Sequence, residues 1–336
     1  EAPVPAGFAV TASAYHYFIE YNDLRDAIDA LLEQLDVNSG TSLRQTARKL
    51  MALISEADVP PEVDTALQRG FDHIFGDTGS AGLVSVRSNA IHEDDSCSFA
   101  GQYTTELNVG RDGLTHAYKK VLASKYTPES LYYRVEKGYS DEETAMSVLV
   151  QHMVTAAFSG VAYTAAAIEE KDDDRLHLFA VAGLGDLAVG GTMTPERLLL
   201  NRRQPPELLE RSGPESGMDT GSAACIAAWA LAAEKYFKNP QDVEWAVDTH
   251  GNVLLLQARP LLISTSSSTP VSSSEPDAHP LLEACTPASP GAAAGPIYYI
   301  SKVDELDDLP DGAVLVTIDT PPDLVRVLHK VSAVVA

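Results

Sequence analysis

The chain has 336 residues, with 24 Lys and Arg against 48 Asp and Glu, which gives a formal net charge of −24. This acidic excess argues against a general binder of nucleic acid, because a phosphate backbone is held mainly by Lys and Arg. No apolar stretch approaches the roughly 20 residues of a membrane span, and the first residues lack the basic and apolar segments of a secretory signal. The expectation is a globular cytoplasmic protein of two or three domains.

Helical periodicity dominates the first 75 residues. Apolar residues recur with the spacing of one helix face along residues 22–36 and 42–55, and Thr41 or Ser42 is the predicted N-cap of the second helix. A third helix is predicted to follow Pro60-Pro61.

The sequence after Gly82 favours short strands, with helical segments between and after them. Strands are predicted near residues 83–86, 147–150, 160–164 and 176–181, and a long Ala-rich helix at about 221–237. Two further runs, 243–247 and 253–256, flank Asp248-Thr249-His250-Gly251 and predict a β-hairpin. The fold class is therefore predicted to be α+β.

The last part of the chain changes in composition. Residues 264–279 hold seven Ser, two Thr and two Pro, which predicts a flexible linker. The sequence beyond it has the pattern of the opening strands and first helix of another domain. The final apolar run, residues 331–336, predicts a buried strand, and a chain that stops there is expected to be a fragment of a longer polypeptide.

The first chemically distinctive segment is SVRSNAIHEDDSCSFAGQYTTELNV, residues 85–109. Arg87 follows a short apolar strand, and the planar guanidinium suits a bidentate grip on phosphate oxygens. A salt bridge from Arg87 to Glu93, Asp94 or Asp95 is the open alternative.

The second is VAGLGDLAVGG, residues 181–191, in which Gly183 and Gly185 allow close backbone approach to a ligand. The spacing fits neither the Rossmann fingerprint nor the P-loop. A turn between two strands is the alternative.

The third is the hairpin at residues 241–260. If Asp248 pairs with Gly251, then Glu244 faces Leu255, and Gln257 is its diagonal neighbour on the same side. A carboxylate and an amide oxygen, with Arg259 next along that face, are suited to Mg²⁺ bridged to phosphate. A three-residue loop would shift this register, and an ordinary structural hairpin is the alternative.

Together and in this order, the motifs resemble the nucleotide-binding region of the phosphoenolpyruvate synthase and pyruvate phosphate dikinase family. The matching segments are PVPAGFAVTASAY (3–15), SVRS to LNV (85–109), SVLVQHMV to SGVAYT (147–164), GLGDLAVGG (183–191) and PQDVEWAVD to LLLQARP (240–260). Residues 288–296 and 313–325 resemble the start of the family's swivelling phosphohistidine domain.

The resemblance implies an ATP-grasp fold of two subdomains followed by a truncated swivelling domain of β/β/α type. The predicted limits are residues 1–145 and 146–262 for the subdomains, 263–283 for the Ser/Pro-rich linker and 284–336 for the partial swivelling domain. The implied activity is transfer of the β-phosphoryl of ATP to a histidine and on to pyruvate, which yields phosphoenolpyruvate. This is the pyruvate, water dikinase or pyruvate, phosphate dikinase type of reaction, and a homodimer is left open for the full-length protein.

The resemblance also implies roles for individual residues, with ATP and Mg²⁺ as the ligands. Arg87 would contact phosphate and Arg259 would stabilise the transferring group, so these two are the predicted catalytic residues. Glu244 and Gln257 would hold Mg²⁺. The predicted nucleotide-binding residues are Arg87, Gln151, Met153, Gly183, Gly185, Asp186, Glu244, Gln257 and Arg259, with Gln151 and Met153 lining the adenine pocket.

The chain departs from the family pattern in several places. It opens after the Gly-Gly-Lys segment and ends before the phosphorylated histidine, so this fragment alone is expected not to complete the reaction. Asp186 stands where the family has Glu, and residues 164–167 lack the usual Asn or Asp. Two alternatives stay open: a rifampicin phosphotransferase-like enzyme, and a non-catalytic nucleotide-binding regulatory module.

Overall fold

The computed structural model describes residues 2–76, 82–91, 103–165, 175–185, 193–261, 291–318, 324 and 326–336. It is an α+β structure, as predicted, and divides into two compact units. The first unit comprises residues 4–154 and 320–329. The second unit comprises residues 1–3, 155–319 and 330–336.

The helices and strands follow the predicted order closely. The α-helices are Ala12–Tyr21 (α1), Arg25–Glu33 (α2), Gly40–Glu56 (α3), Pro61–Phe75 (α4), Leu114–Ser124 (α5), Pro128–Glu136 (α6) and Thr220–Phe237 (α7). The strands are Gly7–Val10 (β1), Val84–Ala90 (β2), Thr105–Val109 (β3), Met146–His152 (β4), Ala156–Tyr163 (β5), Arg175–Ala182 (β6), Glu196–Asn201 (β7), Leu208–Ser212 (β8), Gln241–Asp248 (β9), Val253–Pro260 (β10), Ile297–Tyr299 (β11), Ala313–Val316 (β12) and Val331–Val335 (β13).

The first unit is built on an antiparallel sheet with the strand order β1-β4-β2-β3. Its core joins buried side chains of the sheet to those of α1 through α6, because each helix turns one apolar face inward. Strand β4 pairs with both β1 and β2. The predicted subdomain limit at residues 145 and 146 therefore falls before β4, whereas the two compact units divide after it.

The N-terminal helices differ from the prediction in two details. The sequence pattern missed α1, and the predicted helix at 22–36 begins only at Arg25, after Asp23 adopts a left-handed φ of 53°. The N-cap of α3 is Ser39 rather than Thr41 or Ser42, since its hydroxyl accepts a hydrogen bond from the Ser42 N–H at 3.3 Å.

The second unit contains an antiparallel sheet with the strand order β10-β9-β5-β6-β7-β8. Helix α7 packs on one face of this sheet, where Leu178, Leu198, Ala227 and Trp245 form part of a buried apolar core. Gly160 in β5 allows the strands to approach, because a Cβ there would lie 1.8 Å from the backbone oxygen of Phe179. Alternate residues of the same strands face away from α7 and carry the polar side chains of the candidate site.

The second unit also contains a short parallel sheet with the order β11-β12-β13. Strand β13 occupies the predicted final apolar run, but its residues alternate between half-buried and exposed. The strand is therefore present as predicted, but the prediction that it is buried is wrong. Among the helices of the described residues, none is both long and apolar enough to cross a membrane.

Candidate functional site

The β9–β10 hairpin places Glu244 directly opposite Gln257. The predicted two-residue turn is wrong: Asp248 donates its N–H to Asn252 O at 3.0 Å, so the loop holds Thr249, His250 and Gly251. With an unbroken ladder, this longer loop would turn Gln257 to the opposite face from Glu244. A β-bulge between Leu255 and Gln257 adds one residue and returns Gln257 to the face of Glu244. The predicted juxtaposition is therefore present, for a different reason.

The next pair along the same face is Asp242 and Arg259. Arg259 donates from Nε at 2.9 Å and from Nη2 at 2.7 Å to the single oxygen Oδ2 of Asp242. Asp242 is 7% exposed, and Arg259 is partly buried. Such charge-assisted bonds fix the direction of the guanidinium, so Arg259 is held by Asp242 on the face that carries Glu244.

The second oxygen of Asp242 is one of several buried side-chain atoms that have no hydrogen-bond partner among the described residues. Within the part of the chain that the structure describes, Oδ1 is buried and accepts no hydrogen bond. Burial raises the pKa of Asp242 above its ordinary value, and the neighbouring Glu244 charge adds to this, while Arg259 opposes it. A buried carboxylate oxygen without a donor is costly, which is the condition expected where a ligand completes the site.

Gly183 and Gly185 follow strand β6 beside this face. Gly183 has a φ of 80°, a conformation that favours glycine, and its N–H donates to Ala157 O at 2.8 Å. A Cβ at Gly185 would lie 3.3 Å from the Oγ of Ser159. The glycines therefore bring the backbone close to β5, while Asp186 lies outside the described residues.

Arg87, Gln151 and Met153 belong to the first unit. Arg87 is half-buried on β2, and Gln151 lies on the neighbouring strand β4 opposite Ser85. Met153 follows β4, and its N–H donates to Leu83 O at 2.8 Å. These three predicted residues are thus gathered at one part of the first sheet, and the acidic residues proposed as alternative partners of Arg87 lie outside the described residues.

The donor set in the second unit suits a hard divalent cation. Carboxylate and amide oxygens are the ligands that Mg²⁺ takes from proteins, and it keeps several waters and phosphate oxygens besides. Within the described ranges, no group of three or more His, Cys, Asp and Glu residues is placed to hold a metal ion. The pair Glu244 and Gln257 supplies one carboxylate and one amide side chain of this donor type on adjacent strands.

Two residues of this face were missed by the sequence interpretation. Asp242 lies two positions before Glu244 in β9, so the alternation that brought Glu244 to the polar face is the signal that could have found Asp242. Ser159 gave no comparable signal, because its contact with the glycine segment depends on how the chain leaves β6.

Comparison with known proteins supports the motif interpretation. Residues 1–218 and 215–278 match the family described as pyruvate phosphate dikinase, AMP/ATP-binding domain. A probable phosphoenolpyruvate synthase of Methanocaldococcus jannaschii is 32% identical, over 99% of this chain and 30% of that protein. The phosphoenolpyruvate synthase of Pseudomonas aeruginosa is 30% identical, over 99% of this chain and 47% of that protein.

A solved structure gives a more distant match. D-alanyl-alanine synthetase A of Vibrio cholerae shares 9% identity over 62% of this chain and 49% of its own, with a TM-score of 0.33, which is too low to carry an argument. The chain covers less than two thirds of the length of the curated relatives named above. Because the family match covers most of the chain, the resemblance predicted from the motifs is confirmed: the chain belongs to the pyruvate phosphate dikinase AMP/ATP-binding domain family.

Proposed function

We propose that this chain binds ATP together with Mg²⁺ and is the nucleotide-binding part of a phosphoenolpyruvate synthase-like phosphotransferase. One observation carries the proposal: the bulge in β10 sets Glu244 opposite Gln257, next to an Asp242–Arg259 pair that retains a buried oxygen with no donor among the described residues. An ordinary structural hairpin has no need of this arrangement.

Glu244 and Gln257 are the proposed Mg²⁺ ligands, each through one side-chain oxygen. When bound, the cation would neutralise charge on the phosphate oxygens of ATP. Arg259 is the proposed contact to the transferring phosphoryl group, and Asp242 holds its guanidinium in place. Phosphoryl transfer of this kind relies on positioning and charge neutralisation, so the nucleotide site needs no side-chain nucleophile.

The remaining proposed contacts divide by the part of ATP that they serve. Gly183, Gly185 and Asp186 are proposed to approach the phosphates, and Arg87 to contact a phosphate oxygen through its guanidinium. Gln151 and Met153 are proposed to line the adenine pocket. These roles rest on the match of motifs along the chain.

For the whole protein we propose transfer of the β-phosphoryl of ATP to a histidine on a swivelling domain, and from there to pyruvate. The names of the relatives support this, because they are phosphoenolpyruvate synthases or probable phosphoenolpyruvate synthases. Pyruvate and phosphoenolpyruvate are then the further substrates, in a reaction of the pyruvate, water dikinase or pyruvate, phosphate dikinase type. The domain limits given above are part of the same proposal.

Calorimetric titration of ATP, with and without Mg²⁺, tests the site. We expect Glu244→Ala to weaken Mg²⁺-dependent ATP binding by at least about tenfold, since the variant loses one of the two proposed metal ligands. Glu210→Ala is the matched control, because Glu210 is an exposed carboxylate on β8 of the same sheet.

The two variants separate the possible outcomes. Binding that is lost in Glu244→Ala and kept in Glu210→Ala supports the assignment. Equal Mg²⁺-dependent affinity in Glu244→Ala and the unchanged chain contradicts the metal site, and the absence of ATP binding to the unchanged chain contradicts the proposed function as a whole.

A further inference from the structure

Ser159 is a buried hydroxyl on the same sheet face as Glu244. It is 5% exposed and lies in β5, where Ser159 faces Ala246 and Val161 faces Glu244 across the ladder with β9. Because side chains alternate along a strand, Ser159 and Val161 point to the same face as Glu244. Ser159 is thus on the polar face of the sheet, diagonal to Glu244 across the ladder of β5 and β9.

The hydroxyl of Ser159 is bonded to the glycine segment after β6. Its Oγ donates to Gly183 O at 2.6 Å, while the N–H of Gly183 donates to Ala157 O at 2.8 Å. The last ladder pair of β5 and β6 is Phe158 with Ala182, so these two bonds tie down the first residue beyond the paired strand. Together they fix the two peptide groups on either side of Gly183.

The orientation of that peptide determines where its N–H points. In a planar trans peptide, the carbonyl of one residue and the N–H of the next point in opposite directions. Since the carbonyl of Gly183 points towards Ser159, the N–H of Leu184 points away from the Ser159 hydroxyl. The absence of a side chain at Gly183 and at Gly185 leaves this N–H open to close approach, as in loops that bind anionic oxygens through backbone donors.

We propose that Ser159 is a positioning residue for nucleotide binding: it orients the Gly183–Leu184 peptide so that the Leu184 N–H donates to a phosphate oxygen of the nucleotide. Ser159 itself does not touch the nucleotide. This inference rests on the proposed function, because it takes ATP as the ligand of the glycine segment.

The test compares Ser159→Thr with Ser159→Val, two variants whose new side chains have the same shape as each other, on the full 336-residue chain. Threonine keeps the hydroxyl, whereas valine has the same shape without it, so any strain from the added methyl is common to both. We expect Ser159→Val to bind ATP about fivefold more weakly than Ser159→Thr, the ratio that corresponds to the typical net value of one hydrogen bond, about 1 kcal/mol. Calorimetry below the unfolding temperature of both variants measures this ratio.

A second ligand separates positioning from general damage. Adenosine lacks phosphates, so its affinity, measured by displacement, should differ by less than about twofold between the Val and Thr variants if the hydroxyl acts through a phosphate contact. Ser159→Ala serves as an additional hydroxyl-free variant without the extra methyl. Ser124→Ala is the matched control, because Ser124 is a buried serine in α5 whose hydroxyl donates to Val121 O at 2.7 Å.

Each outcome decides the inference. Weakened ATP binding with unchanged adenosine binding in the Val variant supports it. Equal ATP affinity of the Val and Thr variants, or parallel losses for ATP and adenosine, overturns it while leaving the proposed function intact. If the unchanged chain fails to bind ATP, the proposed function fails and this inference fails with it.

Discussion

Two buried aspartates, one in each unit, show opposite electrostatic behaviour at nearly equal exposure. Asp141 of the first unit is 8% exposed and Asp242 of the second is 7% exposed. The pKa of Asp141 is lowered: the attraction of Lys125 and Arg134 and hydrogen bonds to the carboxylate outweigh the cost of burial. The pKa of Asp242 is raised, because burial outweighs the single cation Arg259. Burial alone therefore does not determine what a carboxylate does.

The surroundings of Asp141 are complete. Oδ1 lies 3.1 Å from Lys125 Nζ and 2.8 Å from Arg134 Nη1, and Oδ2 accepts bonds of 3.2 Å each from Arg25 and the Tyr126 hydroxyl. We call Asp141 with these four residues the Asp141 cluster. Every oxygen of its carboxylate is satisfied within the protein, so the cluster is suited to stabilising the fold and has no position for a ligand.

The surroundings of Asp242 are incomplete by comparison. Both bonds from Arg259 reach Oδ2, and no described residue donates to Oδ1. This contrast suggests that the Asp141 cluster serves stability and the Asp242–Arg259 pair serves binding. We therefore expect Asp141→Asn to lower mainly the free energy of unfolding, and Asp242→Asn to lower mainly the affinity for ATP.

The largest expected effect is on the Asp141 cluster. Asp141→Asn leaves buried cations without their common counter-charge, which costs about 3–5 kcal/mol when one partner of a buried pair is removed. Chemical denaturation measures the free energy of unfolding, and Asp29→Asn on the exposed side of α2 is the control. A loss below about 1 kcal/mol in Asp141→Asn would show that the cluster is not a stabilising element.

The second prediction concerns pH. Burial lowers the pKa of Lys125 to about 7, although the attraction of Asp141 opposes this. An unfolded lysine keeps its proton to about pH 10.4, so between pH 7 and that value the unfolded state binds more protons than the folded state. The contribution of Lys125 to stability therefore rises with pH across this window.

Lys125→Met isolates that contribution. We expect the free energy of unfolding of the unchanged chain, minus that of the variant, to increase by about 2 kcal/mol from pH 7 to pH 9. The subtraction cancels titrations that the two proteins share. A difference that stays constant or falls over this range would contradict a lowered pKa for Lys125.

The sequence predicted more of the sheet face around Asp242 than of the Asp141 cluster. Helix and strand periodicity predicted most elements, and the motifs located Glu244, Gln257 and Arg259 because the polar face of a strand is visible in its alternation. The bulge that returns Gln257 to the face of Glu244 could not be predicted. It offsets the change of register caused by the three-residue turn, so the alternation of polar residues shows neither feature. Asp141 was not singled out at all, because its partners lie elsewhere in the chain, between 7 and 116 residues away, and meet it only in the folded unit.

The third prediction is the counterpart of the first. In Asp242→Asn, the amide oxygen keeps an acceptor for Arg259, whose side chain is partly exposed, so the free energy of unfolding should fall much less than in Asp141→Asn, by about 1 kcal/mol. Mg²⁺-dependent ATP affinity should fall by about tenfold or more under the proposed function, as the guanidinium of Arg259 loses its anchor. Calorimetry and denaturation of the same preparation test both halves. A large loss of stability with unchanged affinity would reverse the assignment of roles.

The smallest effects are expected from removing one tyrosine hydroxyl in each region, in Tyr126→Phe and in Tyr163→Phe. The Tyr126 hydroxyl donates to Asp141 and lies 2.8 Å from the Tyr15 hydroxyl, so Tyr126→Phe leaves buried polar groups with one partner fewer and should cost about 1–2 kcal/mol.

Tyr163 is half-buried and lies opposite Asp242 in the ladder of β5 and β9. The centroid of its ring is 5.7 Å from that of Phe179, a contact that Tyr163→Phe keeps. We expect that variant to lose less than about 0.5 kcal/mol, because water can reach a half-buried position and satisfy the groups left there. Equal losses in the two variants, measured by thermal and chemical unfolding, would mean that the Asp242 face is as closed as the Asp141 cluster.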